Sequence, residues 1–345
     1  MTKTRTLALR IAVSLTVTMF FLWLAFRGQD FHELSHSLIE QPLLWFALLA
    51  ALNIFSHLLR AIRWKMLIEP VKPGVTVHNA FASLMIGFMV NGFLPRAGEF
   101  VRAYVLGRKE QIPTSSIFST VILERILDII SFASVLCIVV IFNSEALIVW
   151  FPWLTGKELI MDGVAFTLLM LLLLLFVKST VIFSLVRYLP RLFPGRSRAR
   201  AERIIESFII GFKASSESKN YPAIALLTCT IWPMYVIILY LPLRLFGMDH
   251  LSFIAAVTLQ LLSGLAAAMP TPNGIGSYHS FLAFTLTKGY GVTPANAIAY
   301  AVYTHAIYYF CILAVGAGYL LRENIRLTEI IAGEESNGQQ AEPQK

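Results

Sequence analysis

Charged residues are scarce in this chain. Asp, Glu, Lys and Arg make up 14% of its 345 residues, whereas 57% are hydrophobic; a soluble domain carries about 25% charged residues. Cysteine is scarcer still. The three cysteines, Cys137, Cys229 and Cys311, lie inside apolar stretches, which argues against a disulfide framework or a cysteine metal site. The composition predicts an all-α polytopic membrane protein.

The signatures of several enzyme classes are absent from the sequence. It contains no GxxxxGK[ST], HExxH, GxSxG or GxGxxG, the patterns of P-loop ATPases, zinc proteases, serine hydrolases and dinucleotide-binding enzymes. We predict no enzymatic activity, no cofactor and no bound metal. The formal charge of +8 comes from basic residues beside the apolar stretches, where such residues set topology. A nucleic-acid partner is therefore not predicted.

Apolar stretches recur along the chain, and a helix needs about 20 residues to cross a membrane. We predict six full transmembrane helices together with a seventh stretch, 251–269, in a broken segment. The first helix follows a basic N-terminus, lacks an A-x-A-like cleavage site and is expected to be retained. The stretches are 11–26, 43–59, 117–142, 163–177, 222–243, 251–269 and 294–321.

The distribution of Lys and Arg predicts topology, because cytoplasmic loops collect these residues. The N-terminus and 60–72 are basic and are placed in the cytoplasm, whereas 28–41 has no Lys or Arg and is placed outside. Segment 143–162 has one Lys and 178–219 has nine Lys or Arg, so they lie on opposite sides. Counting membrane crossings backward from these two segments places both ends of 78–112 in the cytoplasm. The C-terminus is expected there too.

Segment 78–112 is therefore predicted to be a re-entrant hairpin. About a dozen apolar residues lead to Asn91, Gly92 and Pro95, and irregular backbone at membrane depth is tolerated only where protein or a watery cavity surrounds it. A second hairpin, 251–290, breaks at PTPNGIGS and enters from the other side, although 251–269 alone is long enough for a full crossing. This pattern is typical of inverted-repeat transporters, whose sites lie at the midplane.

The two breaks predict an anion-binding site. Pro95 suits the first turn of a helix, and Asn273 or Ser277 can cap another, so two helix N-termini would point N–H groups at a bound phosphate. Glycines there would let the backbone approach the ligand closely. A turn that serves only packing is the alternative. The predicted substrate-binding residues are Arg60, Arg63, Asn91, Pro95, Arg96, Glu99, Arg102, Asn273, Gly274, Gly276 and Ser277.

Charged residues also occur inside the stretch 117–142. Glu124 and Asp128 share one helix face, with Arg125 beside them, and three charges facing lipid would cost roughly 8 to 10 kcal/mol. They are predicted to face the interior and to pair with arginines that lie elsewhere. Either the carboxylates take up a proton while phosphate occupies the arginines, or the network is purely structural. The candidate partners are Arg60, Arg63, Arg96 and Arg102.

Three histidines within or near the helices, His57, His279 and His305, are candidates for proton relay. A buried histidine with satisfied hydrogen bonds is the alternative. The predicted ion-coupling or intramembrane network comprises Glu124, Arg125, Asp128, His279 and His305.

Three stretches, NGFLPRAGEFVRAYVL, VILERILDII and PTPNGIGSYHSFLAF, resemble in order and spacing the motifs of the flippase-like family known from the transmembrane region of lysylphosphatidylglycerol synthases. Two positions depart: Asn273 stands where Gly is usual, and His279 where an acidic residue is common. No aminoacyl-transferring domain is expected after the last helix, so the chain is not expected to synthesise the lipid. Matching residues are Asn91, Pro95, Arg96, Gly98, Glu99, Arg102, Glu124, Arg125, Asp128, Pro272, Gly274, Gly276 and Ser277.

The resemblance implies a bacterial inner-membrane translocase for an anionic or phosphate-bearing lipid, either a phospholipid or a polyprenyl-phosphate-linked one. We expect a single transmembrane domain, 1–330, an amphipathic segment, 196–217, on anionic lipids of the inner leaflet, and a disordered tail, 331–345. One alternative is a polyprenyl-phosphate-dependent glycosyltransferase, suggested by Asp30 and Glu33. The other is a membrane assembly partner that does not transport. The lipid, the direction, the energy source and the oligomeric state stay open.

Overall fold

The computed structural model describes residues 3–177 and 219–323, with seven positions between them (202, 205, 206, 209, 210, 212 and 213). These residues form eleven α-helices and contain no strand. Most of the predicted amphipathic segment 196–217, and all of the tail 331–345, lie outside the described residues. The helices are α1 Lys3–Phe26, α2 Phe31–Ile39, α3 Leu43–Ile68, α4 Val77–Asn91, α5 Gly98–Glu110, α6 Thr114–Ile148, α7 Glu158–Val177, α8 Tyr221–Tyr240, α9 Phe253–Ala268, α10 Ser277–Phe284 and α11 Pro294–Arg322.

Four helices are long and apolar enough to cross a membrane: α3, α6, α11, and α8 with the 3-10 turn that extends it to Phe246. Helices α1 and α2, which bend by 88°, add a fifth candidate if the pair counts as one span. The chain is thus a multi-pass membrane protein. The described residues supply four or five candidates instead of six, since the apolar part described in α7, Leu159–Leu171, is shorter than a full span.

Two segments are interrupted by turns. The first broken segment, 77–110, consists of α4, a turn at 92–97 and α5, and the second, 253–290, contains α9, a turn at 269–276 and α10. Helix α9 has only 16 residues. It ends before Met269, which is extended, with ψ 150°, as is usual before a proline such as Pro270. Within the stretch 251–269, the helix is therefore shorter than the 18 or more residues of the four candidate spans.

Each broken segment returns close to where it began. At the open end of the first, the Asn79 side chain donates to Glu110 Oε1 at 2.7 Å. In the second, Thr258 near the start and Tyr290 at the end both bond to Asn143 Nδ2 of α6, at 2.8 and 2.5 Å. Asn143 interrupts the helical backbone of α6, with φ −156° and ψ 41°, and so connects both ends of the second segment to that helix.

Helix α11 contacts both turns near its midpoint. Tyr309 donates its hydroxyl to the carbonyl of Gly92 at 3.1 Å, and His305 Nε2 lies 3.0 Å from the carbonyl of Asn273. The second turn also contacts α4 directly, because Asn273 Nδ2 donates to the carbonyl of Phe88, in the last turn of that helix, at 3.1 Å. The breaks in sequence therefore meet in space.

The two ends of α11 lie beside different broken segments. At its C-terminal end, the ring of Tyr319 lies 5.4 Å from that of His78 at the start of α4, and Glu323 pairs with Lys109 at the end of α5. The second segment ends at Tyr290, four positions before α11 begins. The open ends of the two broken segments thus lie at opposite ends of α11.

Glycine allows the helices around the first turn to approach closely. A Cβ on Gly98 of α5 would lie 2.0 Å from the carbonyl oxygen of Gly87 on α4, and a Cβ on Gly316 of α11 would lie 2.6 Å from Met89 Cβ. Side chains at these positions would therefore force α4 away from its neighbours.

Candidate functional site

A cavity of about 360 Å³ lies between the two turns. Its walls come from α3, α6, α8 and α11 together with both broken segments. The predicted site residues that line it are Arg60, Asn91, Pro95, Arg96, Glu99, Arg125, Asn273, Gly274 and His305. The predicted residues that do not line it are Arg63, Arg102, Glu124, Asp128, Gly276, Ser277 and His279.

Glu124 is the centre of a buried ion network. Arg60 Nε donates to Glu124 Oε1 at 2.7 Å, Arg102 Nη1 donates to Oε2 at 2.6 Å, and Arg63 Nη2 lies 3.3 Å from Oε1. These arginines come from α3 and α5, so the carboxylate connects three helices. The predicted pairing is present for Arg60, Arg63 and Arg102.

Asp128, one helical turn later on α6, shares these partners. It accepts hydrogen bonds from Arg63 Nη2 at 2.6 Å and Arg60 Nη2 at 2.9 Å. Arg125 lies 3.4 Å from Asp128 and 3.5 Å from Glu124. The spacing of the two carboxylates therefore holds both arginines of α3 in fixed positions.

The network has more positive than negative groups. Four arginines share two carboxylates, and the side chains of Arg63 and Glu124 are fully buried, whereas that of Arg125 is 34% exposed. Arg60 and Arg125 are the members that face the cavity. Charges in a membrane interior are costly and usually mark a functional site, and this network presents its positive excess to the cavity.

Aromatic rings support two of the arginines. The guanidinium of Arg102 lies 4.9 Å from the ring centroid of Trp64, and that of Arg60 lies 5.3 Å from that of Phe88. Trp64 in turn donates to Thr120 Oγ1 at 2.9 Å. Such cation–π contacts orient a guanidinium without neutralising its charge.

The first turn differs from the sequence prediction in two respects. Helix α5 begins at Gly98 instead of Pro95, and the Asn91 side chain accepts from the Gly98 N–H at 2.7 Å. Arg96, with φ 65°, does not pair with Glu124 or Asp128; its guanidinium donates to the carbonyl of Ala268, the last residue of α9, at 2.5 Å. Arg96 therefore connects the first turn to the end of α9, directly before the second turn.

The predicted caps of the second turn, Asn273 and Ser277, are also wrong. Gly276 is the N-cap of α10, and its N–H donates to His279 Nδ1 at 3.2 Å. Ser277 donates to the carbonyl of Ala266 at 2.9 Å and so ties α10 to α9. In each turn, a side chain accepts a hydrogen bond from one N–H at the start of the following helix. The positive groups that face the cavity are arginine side chains.

The two glycines of the second turn have different surroundings. Gly274, with φ 79°, lines the cavity. A Cβ on Gly276 would lie 2.8 Å from the carbonyl oxygen of Thr18 and 3.0 Å from Leu22 N. Gly276 thus admits the backbone of α1, in contrast to the close ligand approach that the sequence predicted.

His279 and His305 lie side by side, with ring centroids 4.8 Å apart. Asn53 was not predicted as a site residue, but it lies with His57 and Arg60 on the polar face of α3 that lines the cavity. The spacing i, i+4, i+7 places these residues on one side of a helix, so the signal was present. Phe88 and Tyr235 line the cavity as well, and their types alone do not distinguish them from other apolar-face residues.

Comparison with known proteins identifies the family to which the chain belongs. A family model described as "Lysylphosphatidylglycerol synthase TM region" matches residues 8–316. The chain belongs to this family. No solved structure matches it.

The chain is similar to a "UPF0104 membrane protein" of Methanothermobacter thermautotrophicus, 25% identical over 82% of this chain and 87% of the relative. Another UPF0104 membrane protein, from Methanocaldococcus jannaschii, is 22% identical over 78% of this chain and 81% of the relative. "Glycosyltransferase AglD" of Haloferax volcanii is 24% identical over 82% of this chain, but the match spans only 49% of AglD.

Proposed function

We propose that the protein is a lipid translocase, without enzymatic activity, of the bacterial inner membrane. An anionic, phosphate-bearing head group enters the cavity between the two turns while its acyl or polyprenyl chain stays in lipid. The observation that carries this proposal is the set of three guanidinium groups, of Arg60, Arg96 and Arg125, that line the cavity. Arginine binds phosphate through paired hydrogen bonds.

The proposed architecture is an inverted repeat of two re-entrant hairpins, 78–112 and 251–290, with six crossings and both termini in the cytoplasm. Two contacts support the first hairpin: Asn79 with Glu110 at its open end, and Tyr309 with Gly92 at its turn. Helix α11 has 29 residues and is about 43 Å long at 1.5 Å per residue. Turns at its midpoint would lie near the middle of the bilayer, where transporters with broken helices bind their substrates.

The two carboxylates of the ion network, which do not face the cavity, have a positioning role in this proposal. Glu124 and Asp128 hold Arg60 and Arg63 against α6, so that a phosphate meets donors that are already oriented. Proton uptake by these carboxylates would release arginine donors to the phosphate. This exchange gives the network a means of coupling translocation to protons.

The test is a translocation assay with the purified protein in vesicles that carry fluorescent phospholipids or polyprenyl phosphates, with and without a pH gradient. Arg96→Ala is the informative variant, because the hydrogen bond that Arg96 makes among the described residues is to the Ala268 carbonyl, outside the ion network. Loss of one charged hydrogen bond, worth about 1.5 to 3 kcal/mol, should slow translocation roughly ten- to a hundredfold.

Arg244→Ala serves as the matched control. Its side chain is 66% exposed and lies 3.9 Å from Asp249, on the segment between α8 and α9, and it does not line the cavity. Translocation by this variant should equal that of the parent protein. Equal rates for Arg96→Ala and the parent would refute the role given to Arg96.

A polyprenyl-phosphate-dependent glycosyltransferase is the second candidate, supported by the similarity to AglD. The sequence suggested this candidate through the acidic pair Asp30 and Glu33. Asp30 has a structural role, because its Oδ1 accepts from the N–H groups of His32 and Glu33 at the start of α2. An assay in detergent distinguishes the two functions, because translocation needs a membrane with two sides whereas sugar transfer does not. Consumption of a lipid-linked sugar there would favour the transferase.

A further inference from the structure

The two broken segments hold each other through a reciprocal pair of hydrogen bonds. Arg96 of the first turn donates to the carbonyl of Ala268, the last residue of α9, at 2.5 Å. Asn273 of the second turn donates to the carbonyl of Phe88, in the last turn of α4, at 3.1 Å. Each turn thus supplies one side-chain donor to the helix that leads into the other turn.

The backbone of the two donors is unusual in the same way. Arg96 has φ 65° and Asn273 has φ 45°, a left-handed conformation that residues other than glycine seldom adopt. Within the part of the chain that the structure describes, Gln111 at the end of α5 is the one other such residue. Left-handed residues of this kind persist where surrounding contacts hold them, and they cluster at switch regions. The shared conformation therefore marks the two turns as a candidate switch.

The two acceptors are carbonyl groups at the C-terminal ends of helices. The last four carbonyls of an α-helix lack a partner inside that helix, and this end of a helix carries partial negative charge. The guanidinium of Arg96 and the amide of Asn273 each satisfy one such carbonyl. The ends of α9 and α4 are thereby held against the opposite turn, beside the cavity that both donor residues line.

A phosphate in the cavity would affect the two bonds differently. Arg96 is exposed and lines the cavity, so an anion there can reach its guanidinium. Hydrogen bonds between ionised groups are roughly twice as strong as those between neutral groups, so phosphate displaces the neutral Ala268 carbonyl from Arg96. The amide of Asn273 is neutral and gains less from a phosphate. A bound head group therefore breaks one of the two bonds and leaves the other in place.

Helix α11 contacts each turn separately. Tyr309 donates to the carbonyl of Gly92 in the first turn, and His305 Nε2 lies 3.0 Å from the carbonyl of Asn273 in the second. These contacts fix both turns to one common helix, whereas the bonds of Arg96 and Asn273 fix each turn to the opposite broken segment. Separation of the two segments beside the cavity therefore breaks the bonds of Arg96 and Asn273, with α11 as the hinge.

We propose that Arg96 and Asn273 form an autoinhibitory latch, which holds the two broken segments together around the empty cavity. A phosphate that binds Arg96 releases the first half of the latch. The bond between Asn273 and Phe88 is the second half, and it limits how fast the loaded protein opens. This inference rests on the proposed translocase function and describes how the head group itself regulates that function.

The first test removes the second half of the latch. Asn273→Gly tolerates the left-handed backbone and lacks the amide donor. Translocation by the full-length protein is measured in vesicles that carry fluorescent phosphatidylglycerol or, in parallel, a fluorescent polyprenyl phosphate. Because one neutral hydrogen bond is lost, we expect translocation about threefold to tenfold faster than in the parent. Asn79→Ala is the matched control, since it also removes an amide donor but breaks a bond within the first segment, to Glu110, and its rate should equal that of the parent.

The second test closes the latch covalently. A Cβ on Gly92 would lie 3.2 Å from Asn273 Nδ2, so Gly92→Cys and Asn273→Cys together place two thiols within the range of a disulfide. In a protein whose native cysteines have been replaced, oxidation of this double variant should stop translocation, and a reductant should restore it. Gly92→Cys alone is the control, and its rate should be the same before and after oxidation.

The outcomes separate this inference from the proposed function. Unchanged or slower translocation by Asn273→Gly, an equal gain in Asn79→Ala, or full activity of the oxidised double variant would overturn the latch. A parent protein that translocates, and that Arg96→Ala slows, would still be a phosphate-binding translocase in each of these cases. If the parent moves neither lipid, the proposed function fails and the latch fails with it.

Discussion

Glu124 is the residue on which the polar interior depends. Its two oxygens accept from Arg60 and Arg102, and Arg63 approaches within 3.3 Å. A buried ion pair contributes little net stability when intact, because desolvation offsets attraction, but removing one partner leaves an uncompensated charge. The arrangement is therefore sensitive to the loss of this carboxylate.

Glu124→Gln should lower the free energy of unfolding by about 3 to 5 kcal/mol, the range found when one partner of a buried pair is removed. Denaturant or thermal unfolding in detergent would measure it. The matched control is Glu323→Gln, which breaks the partly exposed pair with Lys109, 20% and 16% exposed, and should cost about 1 kcal/mol or less. Comparable losses in the two variants would contradict the central role of Glu124.

The same substitution tests the proposed coupling to protons. If protonation of the carboxylates frees arginine donors for phosphate, translocation by the parent protein should become faster as the pH falls. Glu124→Gln cannot take up the proton, so its rate should depend much less on pH. Rates in vesicles measured across a pH series would show this. A variant that only expresses poorly, with the parental pH profile, would support a purely structural network.

Sequence reasoning succeeded at this scale where helical spacing fixes the geometry. Glu124 and Asp128 lie four residues apart, so their shared face and their arginine partners on α3 could be predicted. It failed for Arg96, because a residue with φ 65° in a turn follows no periodic rule. The Arg96 guanidinium instead bonds to the carbonyl of Ala268, 172 residues away in the chain.

At the scale of elements, the sequence located the breaks but not their caps. Proline and glycine interrupt helices through local backbone chemistry, and the predicted hairpin 78–112 agrees in extent with α4 and α5. The caps depend on contacts that a local pattern does not encode. Asn91, seven residues before Gly98, accepts from its N–H, and Gly276 was needed to admit α1.

Close helix packing yields an element-scale prediction. Gly316→Ala should destabilise the protein, because a Cβ there would lie 2.6 Å from Met89 Cβ and 2.7 Å from the Met85 carbonyl oxygen, separating α11 from α4. Gly318→Ala is the matched control on the same helix, since a Cβ there meets nothing within 4 Å. It should be neutral, or stabilising by up to about 1 kcal/mol through helix propensity. Unfolding in detergent would compare the two variants, and equal stabilities would argue against the tight contact.

At the scale of the whole molecule, the charge count and the two breaks predicted two opposed hairpins, but the sequence could not identify the element that contacts both turns. Helix α11 looks like any other apolar span in sequence. In the structure, its midpoint contacts both turns through His305 and Tyr309. Such long-range contacts follow from packing among all helices, and no local pattern contains them.

This arrangement makes a topological prediction. The end of α11 pairs with the end of α5 through Glu323 and Lys109, so both ends should lie on one face of the membrane, which the charge distribution assigns to the cytoplasm. Single cysteines introduced by Glu323→Cys and Lys72→Cys, after replacement of the native cysteines, should resist an impermeant maleimide in intact cells.

Asp249→Cys, on the segment between α8 and α9, is the control and should be labelled in those cells, because a periplasmic position follows from the same count of crossings and the Asp249 side chain is 71% exposed. Labelling of Glu323→Cys from outside would mean that the second broken segment crosses the membrane completely. The two turns would then no longer belong to opposed re-entrant hairpins, and the inverted repeat would have to be abandoned.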